Sequence, residues 1–302
     1  MKRLRIIFLC GLILFAGAIE GICEQQPKIT PGTVLTIGLI PEQNIFRQME
    51  RYSPLAEYLA KKTGMRIELK VLIRYGNIID NFVSSGMDGA FFGSFTYALA
   101  NSRIGVEVLA RPEGLNGSST YHGLIFVRKE SGIRNMADMK GKRFAFVDKA
   151  TTAGFLLPLW YFKTHGIGNY KTYFKEVYFT GTHEDAIYDV FHKKADIGAA
   201  KNTVYERLIA ADPQIRQDLT ILTKSPGVPE NGLALRKTIA PAVRNVMQET
   251  LTHMQNDPAG KTILTDFGAR RFIVTTTKDY EPVFRYAREI GLDLAHYDYV
   301  NE

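Results

Sequence analysis

The fold is decided at residues 141–158, which read GKRFAFVDKATTAGFLLP. Apolar and aromatic residues dominate positions 143–147 and predict a buried strand. A turn follows, and Thr151 or Thr152 can then cap a helix that starts at Ala153. The first amides of such a helix have no internal acceptor and lie at the positive end of its dipole, so an anion can bind there. An ordinary strand-to-helix turn with a capping threonine is the alternative interpretation.

Strand and helix patterns alternate along most of the chain. Such alternation predicts α/β layers around a mostly parallel sheet. In the first half, strands are predicted at 34–40, 66–72, 89–92 and 106–110, and helices at 45–62, 75–85 and 94–102. In the second, strands are predicted at 124–128, 143–147, 174–179, 196–200, 219–222 and 233–236, and helices at 153–164, 183–193 and 203–210. Three final helices are predicted around 240–255, 258–267 and 279–290.

The length of 302 residues suggests about two domains. The segment 225–232, SPGVPENG, follows the strand predicted at 219–222 and shows neither helix nor strand periodicity. We therefore predict two lobes joined by two crossings, near residues 121–128 and 223–236.

The N-terminus carries the pattern of an export signal. Three basic residues precede an apolar run at 6–19 that is shorter than the about 20 residues a membrane span needs. This layout predicts a secretory signal peptide at residues 1–23, cleaved after Ala18 or Cys23. An uncleaved membrane anchor and a lipoprotein attached through Cys23 are the alternatives.

The composition argues against several classes of function. Both cysteines, Cys10 and Cys23, lie in or at the edge of the predicted signal, so the exported domain has no internal disulfide, catalytic cysteine or cysteine metal site. The net charge is +7, but basic pairs are scattered along the chain. Nucleic-acid binding typically needs a clustered patch. We predict no nucleic-acid partner, no cofactor and no metal.

Residues 148–155, DKATTAGF, resemble the Asp-Pro-x-Ser-Thr-Ser-Gly-Tyr segment of the phosphonate- and phosphite-type solute-binding proteins of ABC transporters. In that family the hydroxyls and adjacent amides of this segment hold the oxyanion. The resemblance implies that Thr151, Thr152 and Ala153 bind the ligand here. Threonine replaces the first serine of the pattern, alanine replaces the second, and Lys149 stands where proline is usual.

The resemblance extends over about residues 34–298. It implies the type II periplasmic binding-protein fold, in which two α/β domains are joined by a two-segment hinge. Residues 33–122 and 232–302 would form lobe I, because the C-terminal helices return to it, and residues 123–231 would form lobe II. Other matching pieces, in the family's order, are 131–142, 225–229 and 280–283.

Further candidate ligand residues lie where predicted strands meet helices. In open α/β sheets, ligands collect between the carboxyl ends of strands and helix N-termini. Such junctions occur at Tyr75, 93–96, 151–153 and 181–183, two in each lobe. A cleft between the lobes would then be lined by hydroxyls and free amides, which suit a tetrahedral oxyanion.

Four of these candidates belong to lobe I. Tyr75 and Tyr121 match tyrosines that line the family's cleft, where a phenol can donate to an oxyanion. Packing in the core is their alternative role. Ser94 and Thr96 are hydroxyls at the start of a predicted helix, and capping alone would also account for them.

Residues 180–186, TGTHEDA, resemble the family's Gly-Ser-His-Asp-Ala segment, with Glu184 inserted. The resemblance implies that His183 donates to the anion, and Thr182 is a further candidate. Without the resemblance, a histidine in the first turn of a helix is more often an exposed residue.

Lys201 leads to a prediction about selectivity. Family members that bind aminoalkyl phosphonates place carboxylates near the ligand's ammonium, one of them just after the strand that ends here near Ala200. A lysine in that segment favours a ligand without an amine, because like charges repel. The alternative is that Lys201 points to solvent and that Glu206 or Glu230 supplies the carboxylate.

Together these features predict a monomeric periplasmic receptor that binds a small phosphorus oxyanion, such as phosphonate, phosphite or phosphate. It would deliver the ligand to an ABC transporter permease and catalyse no reaction. One alternative is the same fold acting as the sensory subunit of a membrane histidine kinase. Another is a periplasmic hydrolase that uses His183, since sequence spacing cannot forbid a Ser/Thr-His-Asp set. The sequence lacks the zinc-protease, Walker and nucleophile-elbow motifs.

Overall fold

Two β-sheets carry the fold, one in each lobe. The computed structural model describes residues 32–72 and 75–301. Its strands are β1 (Val34–Leu39), β2 (Arg66–Val71), β3 (Gly89–Phe92), β4 (Val106–Gly114), β5 (Thr120–Tyr121), β6 (Gly123–Arg128), β7 (Arg143–Phe146), β8 (Glu176–Phe179), β9 (Ile197–Lys201), β10 (Leu219–Lys224), β11 (Val228–Pro229), β12 (Gly232–Arg236) and β13 (Ala269–Val274).

Helices connect most of these strands. A π-helical turn at Thr152–Leu156 leads directly into the fourth helix. The helices are α1 (Ile45–Thr63), α2 (Ile78–Ser84), α3 (Ser94–Ile104), α4 (Leu157–Thr164), α5 (Tyr170–Tyr173), α6 (His183–Phe191), α7 (Asn202–Ala211), α8 (Pro213–Asp218), α9 (Pro241–His253), α10 (Pro258–Phe267) and α11 (Glu281–Glu289).

The strand order is β13-β4-β12-β3-β1-β2 in lobe I and β10-β6-β9-β7-β8 in lobe II. In each sheet the strand that follows a crossing, β12 or β6, pairs antiparallel with both of its neighbours. Both sheets are therefore mixed, and the prediction of mostly parallel sheets is wrong in this respect. Strand composition does not reveal from which direction the chain enters a sheet.

The two crossings between the lobes lie side by side. Strand β5 of the first crossing pairs antiparallel with β11 of the second, with Tyr121 opposite Val228. This short ribbon is the two-segment hinge of a type II periplasmic binding-protein fold, as predicted. It fixes Tyr121 at the point where both lobes meet.

Apolar packing holds the lobes against each other. One buried cluster contains Phe95 of lobe I together with Val147 and Leu156 of lobe II. Each lobe also has a core of its own, around Phe91 in lobe I and Phe144 in lobe II. Because both lobes share a buried cluster, the structure shows them packed directly against each other.

Several element boundaries differ from the sequence prediction. Helix α2 begins at Ile78 and not at Tyr75, because Asn77 adopts the left-handed conformation with φ of 60°. The predicted helix at 153–164 starts with a π-helical turn. Strand β13 and helix α8 were not predicted, since β13 begins Ala-Arg-Arg and α8 is a short helix between two stronger patterns.

The C-terminal helices return to lobe I, where α9 and α10 contact β13. Helix α11 contacts both α3 and α4 and so touches both lobes. The chain then reaches lobe II, where Lys149 Nζ donates to the carbonyl of Val300 at 2.7 Å.

The predicted signal peptide at 1–23, with Ala18 and Cys23, lies outside the described residues. Within the described part of the chain, no helix combines the length and apolar composition that a membrane crossing requires.

Candidate functional site

A small cavity lies between the lobes next to the hinge, and most of the predicted site residues line it. These are Tyr75, Thr96, Tyr121, Thr151, Thr152 and His183. Sequence reasoning missed Ile40, Glu42 and Asn231 as lining residues, included Gly93 only within the junction at 93–96, and gave Lys201 a role only in selectivity. A wider groove opens beside the cavity and shares Glu42, Lys201 and Asn231 with it.

The lobe II wall of the cavity is the start of the π-helical turn. The first bond of this turn runs from the Leu156 amide to the Thr151 carbonyl at 3.1 Å. The amides of residues 152–155 precede that bond, so the helix offers them no acceptor. All four residues are buried, and water cannot readily satisfy these amides. The turn therefore presents a set of buried donors at its N-terminus.

Gly154 is required for this geometry. A Cβ at this position would lie 2.4 Å from Val147 Cβ and 2.7 Å from Thr151 Oγ1. The amide of Val147 donates to the Gly154 carbonyl, which ties the turn to the end of β7. A glycine thus lets the helix N-terminus pack closely on the strand that leads into it.

The start of α3 in lobe I faces this turn. The amide of Phe95 donates to Thr152 Oγ1 at 2.8 Å, and Thr96 Oγ1 donates to the Ala150 carbonyl at 3.0 Å. Two helix N-termini from different lobes therefore meet at the cavity. Their positive dipole ends repel each other unless negative charge lies between them.

The hydroxyl hydrogens differ in their availability. Thr96 has donated its hydrogen to a carbonyl, and Thr151 Oγ1 donates to the Asp148 carbonyl at 2.6 Å. Thr152 Oγ1 accepts from a backbone amide and does not donate to a carbonyl, so its own hydrogen can be donated to the Tyr121 hydroxyl or to a ligand. The Tyr75 hydroxyl makes no hydrogen bond to the described residues and is also available.

Tyr121 connects the cavity to the hinge through hydroxyl groups. Its hydroxyl interacts with those of Ser94 and Thr152, and burial raises the pKa of the phenol above its ordinary value. Ser94 Oγ in turn donates to the Pro229 carbonyl of β11. Tyr121 therefore stays a neutral phenol that can donate or accept.

His183 lines the cavity from the start of α6 as a neutral donor. Its Nδ1 accepts from the Lys201 amide at 3.2 Å. Burial lowers the pKa of the imidazole to about 3, so the ring is neutral at ordinary pH. Because Nδ1 accepts, the ring proton resides on Nε2, which can donate into the cavity.

Three predicted residues do not line the cavity. Ser94 reaches it only through Tyr121. Thr182 caps α6, where its Oγ1 accepts from the Asp185 amide at 2.9 Å. The side chain of Ala153 packs in the cluster shared by the lobes, so only its backbone amide is placed to contribute.

Lys201 is buried in a cluster of oxygen atoms at one end of the cavity. Its Nζ donates to Glu42 Oε1 at 2.9 Å, Glu230 Oε2 at 2.7 Å and Asn231 Oδ1 at 3.1 Å. Burial alone would lower the pKa of Lys201, but the two carboxylates raise it above its ordinary range. Burial likewise opposes the charge of Glu42, but Lys201 and two nearby arginines hold the pKa of that carboxyl well below its usual value.

Both sequence alternatives for Lys201 can now be compared with its position. Lys201 does not point to solvent, because its side chain is 4% exposed. Glu206 accepts from Asn202 at an exposed position and does not line the cavity. Glu230 is indeed close, but it is already paired with Lys201.

The inserted Glu184 links the lobes outside the cavity. Its carboxylate accepts from the Asn44 amide at 3.2 Å and pairs with Arg47 Nη1 at 3.3 Å. Among residues 32–72 and 75–301, no group of three or more His, Cys, Asp or Glu side chains is placed to hold a metal ion.

Proteins with known roles resemble this chain over most of its length. The "Phosphonates-binding periplasmic protein" of Escherichia coli (strain K12) is 24% identical over 269 residues, which cover 87% of this chain and 77% of that protein. A binding-protein component of an ABC phosphonate transporter from Pseudomonas aeruginosa has a TM-score of 0.79 at 22% identity, covering 86% of this chain and 87% of that one.

A third similar protein was solved in complex with methylphosphonate. It comes from Prochlorococcus marinus (MIT 9301) and has a TM-score of 0.76 at 20% identity, covering 85% of this chain and 98% of that one. The family model described as "ABC transporter, phosphonate, periplasmic substrate-binding protein" matches residues 37–280. Fold, hinge and family match agree, and the chain belongs to the family of periplasmic substrate-binding proteins of phosphonate ABC transporters.

Proposed function

We propose that this chain is the periplasmic solute-binding component of an ABC transporter and that it closes on a phosphonate, phosphite or phosphate in the cavity at the hinge. The observation that carries this proposal is the meeting of two helix N-termini from different lobes at a buried cavity. An anion between them would accept from the free amides and remove the repulsion between the dipoles.

The remaining groups fit an anion with several oxygens. Thr152, Tyr75 and His183 line one small space and carry neutral donor groups, and the amides at 152–155 add more. The charges of Lys201 and Glu42 offset each other within the lining, and Glu230, which also pairs with Lys201, lies outside it. Such sites hold oxyanions with dipoles and neutral donors.

Partners and location follow from the family. We propose delivery to an ABC transporter permease in the membrane, action as a monomer in the periplasm, and export by the predicted signal peptide. Lobe I would comprise residues 33–122 and 232–302, and lobe II residues 123–231. The histidine-kinase alternative gains no support from the site. A transport ATPase and permease encoded beside this gene would favour transport over sensing.

The hydrolase alternative conflicts with the state of His183. A general base needs a lone pair on the nitrogen that faces the substrate. Here Nδ1 accepts from a backbone amide, which leaves the protonated Nε2 for the cavity. His183 is therefore suited to donate to a ligand and unsuited to activate a nucleophile.

Ligand binding can be tested on the mature protein by thermal shift and titration calorimetry. Phosphate, phosphite, methylphosphonate and sulfate would be compared at matched concentrations. A ligand at 100 times its Kd should stabilise the fold by about 2.7 kcal/mol. No response to any phosphorus oxyanion would refute the proposed function.

A further inference from the structure

The surroundings of Lys201 have the composition of a binding site for an organic ammonium ion. Oxygen atoms of Glu42, Glu230 and Asn231 accept from Nζ, and Nζ lies 4.3 Å from the centroid of the Tyr121 ring. Carboxylates and an aromatic face together are a common way to hold an ammonium group. Here the ammonium is supplied by the protein itself.

Lys201 has no donor left for a ligand. A lysine ammonium carries three hydrogens, and its three oxygen partners lie at 2.7–3.1 Å. The side chain nevertheless lines the same cavity as Thr152 and His183. It therefore occupies the space beside the oxyanion donors without donating to an oxyanion.

We infer that Lys201 is a built-in occupant of an ammonium site and restricts the protein to phosphorus oxyanions that carry no cationic substituent. An amine carried by a phosphonate that binds in this cavity would meet the positive charge of Nζ, because Lys201 lines the same space. This inference rests on the proposed function, because it assumes that the oxyanion binds in the same cavity.

The variant Lys201→Ala tests the inference, since it empties the space and leaves both carboxylates. Calorimetry with methylphosphonate and 2-aminoethylphosphonate should show at least tenfold preference for methylphosphonate in the natural protein. In the variant, affinity for 2-aminoethylphosphonate should rise at least tenfold while that for methylphosphonate falls. Methylammonium alone should raise the Tm of the variant and leave that of the natural protein unchanged.

Lys149→Ala is the matched control. Lys149 is also buried, but its Nζ donates to the Val300 carbonyl and does not line the cavity. This variant should keep the ligand preference of the natural protein and should not respond to methylammonium.

Two unpaired carboxylates could prevent Lys201→Ala from folding. The double variant Lys201→Ala with Glu42→Gln keeps the net charge and leaves Glu230 as the counter-ion for an amine. It should show the same reversal of ligand preference, with a smaller gain in affinity for 2-aminoethylphosphonate.

The inference would be overturned if the single or the double variant lost affinity for both phosphonates equally and its Tm did not respond to methylammonium. If no phosphorus oxyanion binds the natural protein, the proposed function fails. The Tm response to methylammonium would then still decide whether Lys201 fills an ammonium site.

Discussion

At the scale of single residues, the position of each hydroxyl hydrogen separates binding groups from supporting ones. Thr151 and Thr152 are neighbours, both are buried and both line the cavity. Thr151 has donated its hydrogen to the Asp148 carbonyl, whereas Thr152 accepts from Phe95 and keeps its own. Thr152 can therefore turn its hydrogen from the Tyr121 hydroxyl to a ligand, whereas Thr151 would have to break a bond to a carbonyl.

This difference predicts unequal effects of two similar substitutions. Thr152→Val removes a donor to a buried anion, a bond worth about 1.5–3 kcal/mol, so ligand affinity should fall about ten- to a hundredfold. Thr151→Val should reduce affinity much less and act mainly on stability. Calorimetry and urea unfolding of both variants would measure this. Equal losses of affinity would show that Thr151 turns its hydroxyl to the ligand.

His183 gives a pH dependence whose sign can be worked out. The pKa of the imidazole is about 3 in the folded protein and 6.5 as its ordinary value. Between these values the unfolded chain binds the extra proton, so the free energy of unfolding decreases as pH falls from about 6.5 toward 3. His183→Gln offers an acceptor and a donor but does not titrate.

Urea unfolding of the natural protein and of His183→Gln between pH 7 and pH 4 would isolate this contribution. The variant should lose less stability than the natural protein as the pH falls. Asp148, whose pKa burial raises to about 6, titrates in the same window but is common to both proteins. If the unfolding free energies of the two proteins changed with pH in parallel, His183 would be accessible to protons in the folded state.

At the scale of elements, sequence patterns and the family resemblance together named six residues that line the cavity, but not its whole lining. The segment at 148–155 has a local signature, because its hydroxyls lie at a predicted strand-to-helix junction. His183 was named because its segment resembles that of the family. Glu42 and Asn231 have no such local sequence signature. Each follows the end of a strand in irregular chain, and only the pairing of β1 with β3 and of β3 with β12 brings them together.

The π-helical turn was also beyond sequence reasoning. It coincides with the close packing of Gly154 on Val147, which is a tertiary contact. Helix propensity describes the local chain and cannot report such a contact. π-Helical turns occur frequently at functional sites, which agrees with its place at the cavity.

A substitution at Gly154 tests the role of this turn. In Gly154→Ala the new methyl group would overlap Val147, so the turn must shift and the fold should lose about 1–3 kcal/mol. Ligand affinity should fall as well, because the free amides would move. Gly168→Ala is the control, since a Cβ there meets nothing within 4 Å.

Denaturant unfolding and calorimetry would compare both glycine variants with the natural protein. Gly168→Ala should be neutral or slightly stabilising, because alanine reduces the freedom of the unfolded chain. Unchanged ligand affinity in a folded Gly154→Ala variant would separate the turn from the binding site.

At the scale of the whole molecule, closure depends on contacts that join the lobes. Some of these involve cavity residues, such as the bond from the Phe95 amide to Thr152. Others lie outside the cavity, and the bond from the Asn44 amide to Glu184 is the clearest case. A contact outside the cavity can change affinity only by shifting the balance between open and closed states.

Glu184→Ala should therefore weaken binding without changing any contact to the ligand. The lost contacts are worth about 0.5–1.5 kcal/mol, so Kd should rise about two- to tenfold, and the change should lie mainly in the dissociation rate. Glu176→Ala is the control, because Glu176 is an exposed glutamate of lobe II at the start of β8. Stopped-flow kinetics on both variants would measure the rates. A dissociation rate for Glu184→Ala equal to that of the natural protein would show that this contact forms only incidentally in the closed state.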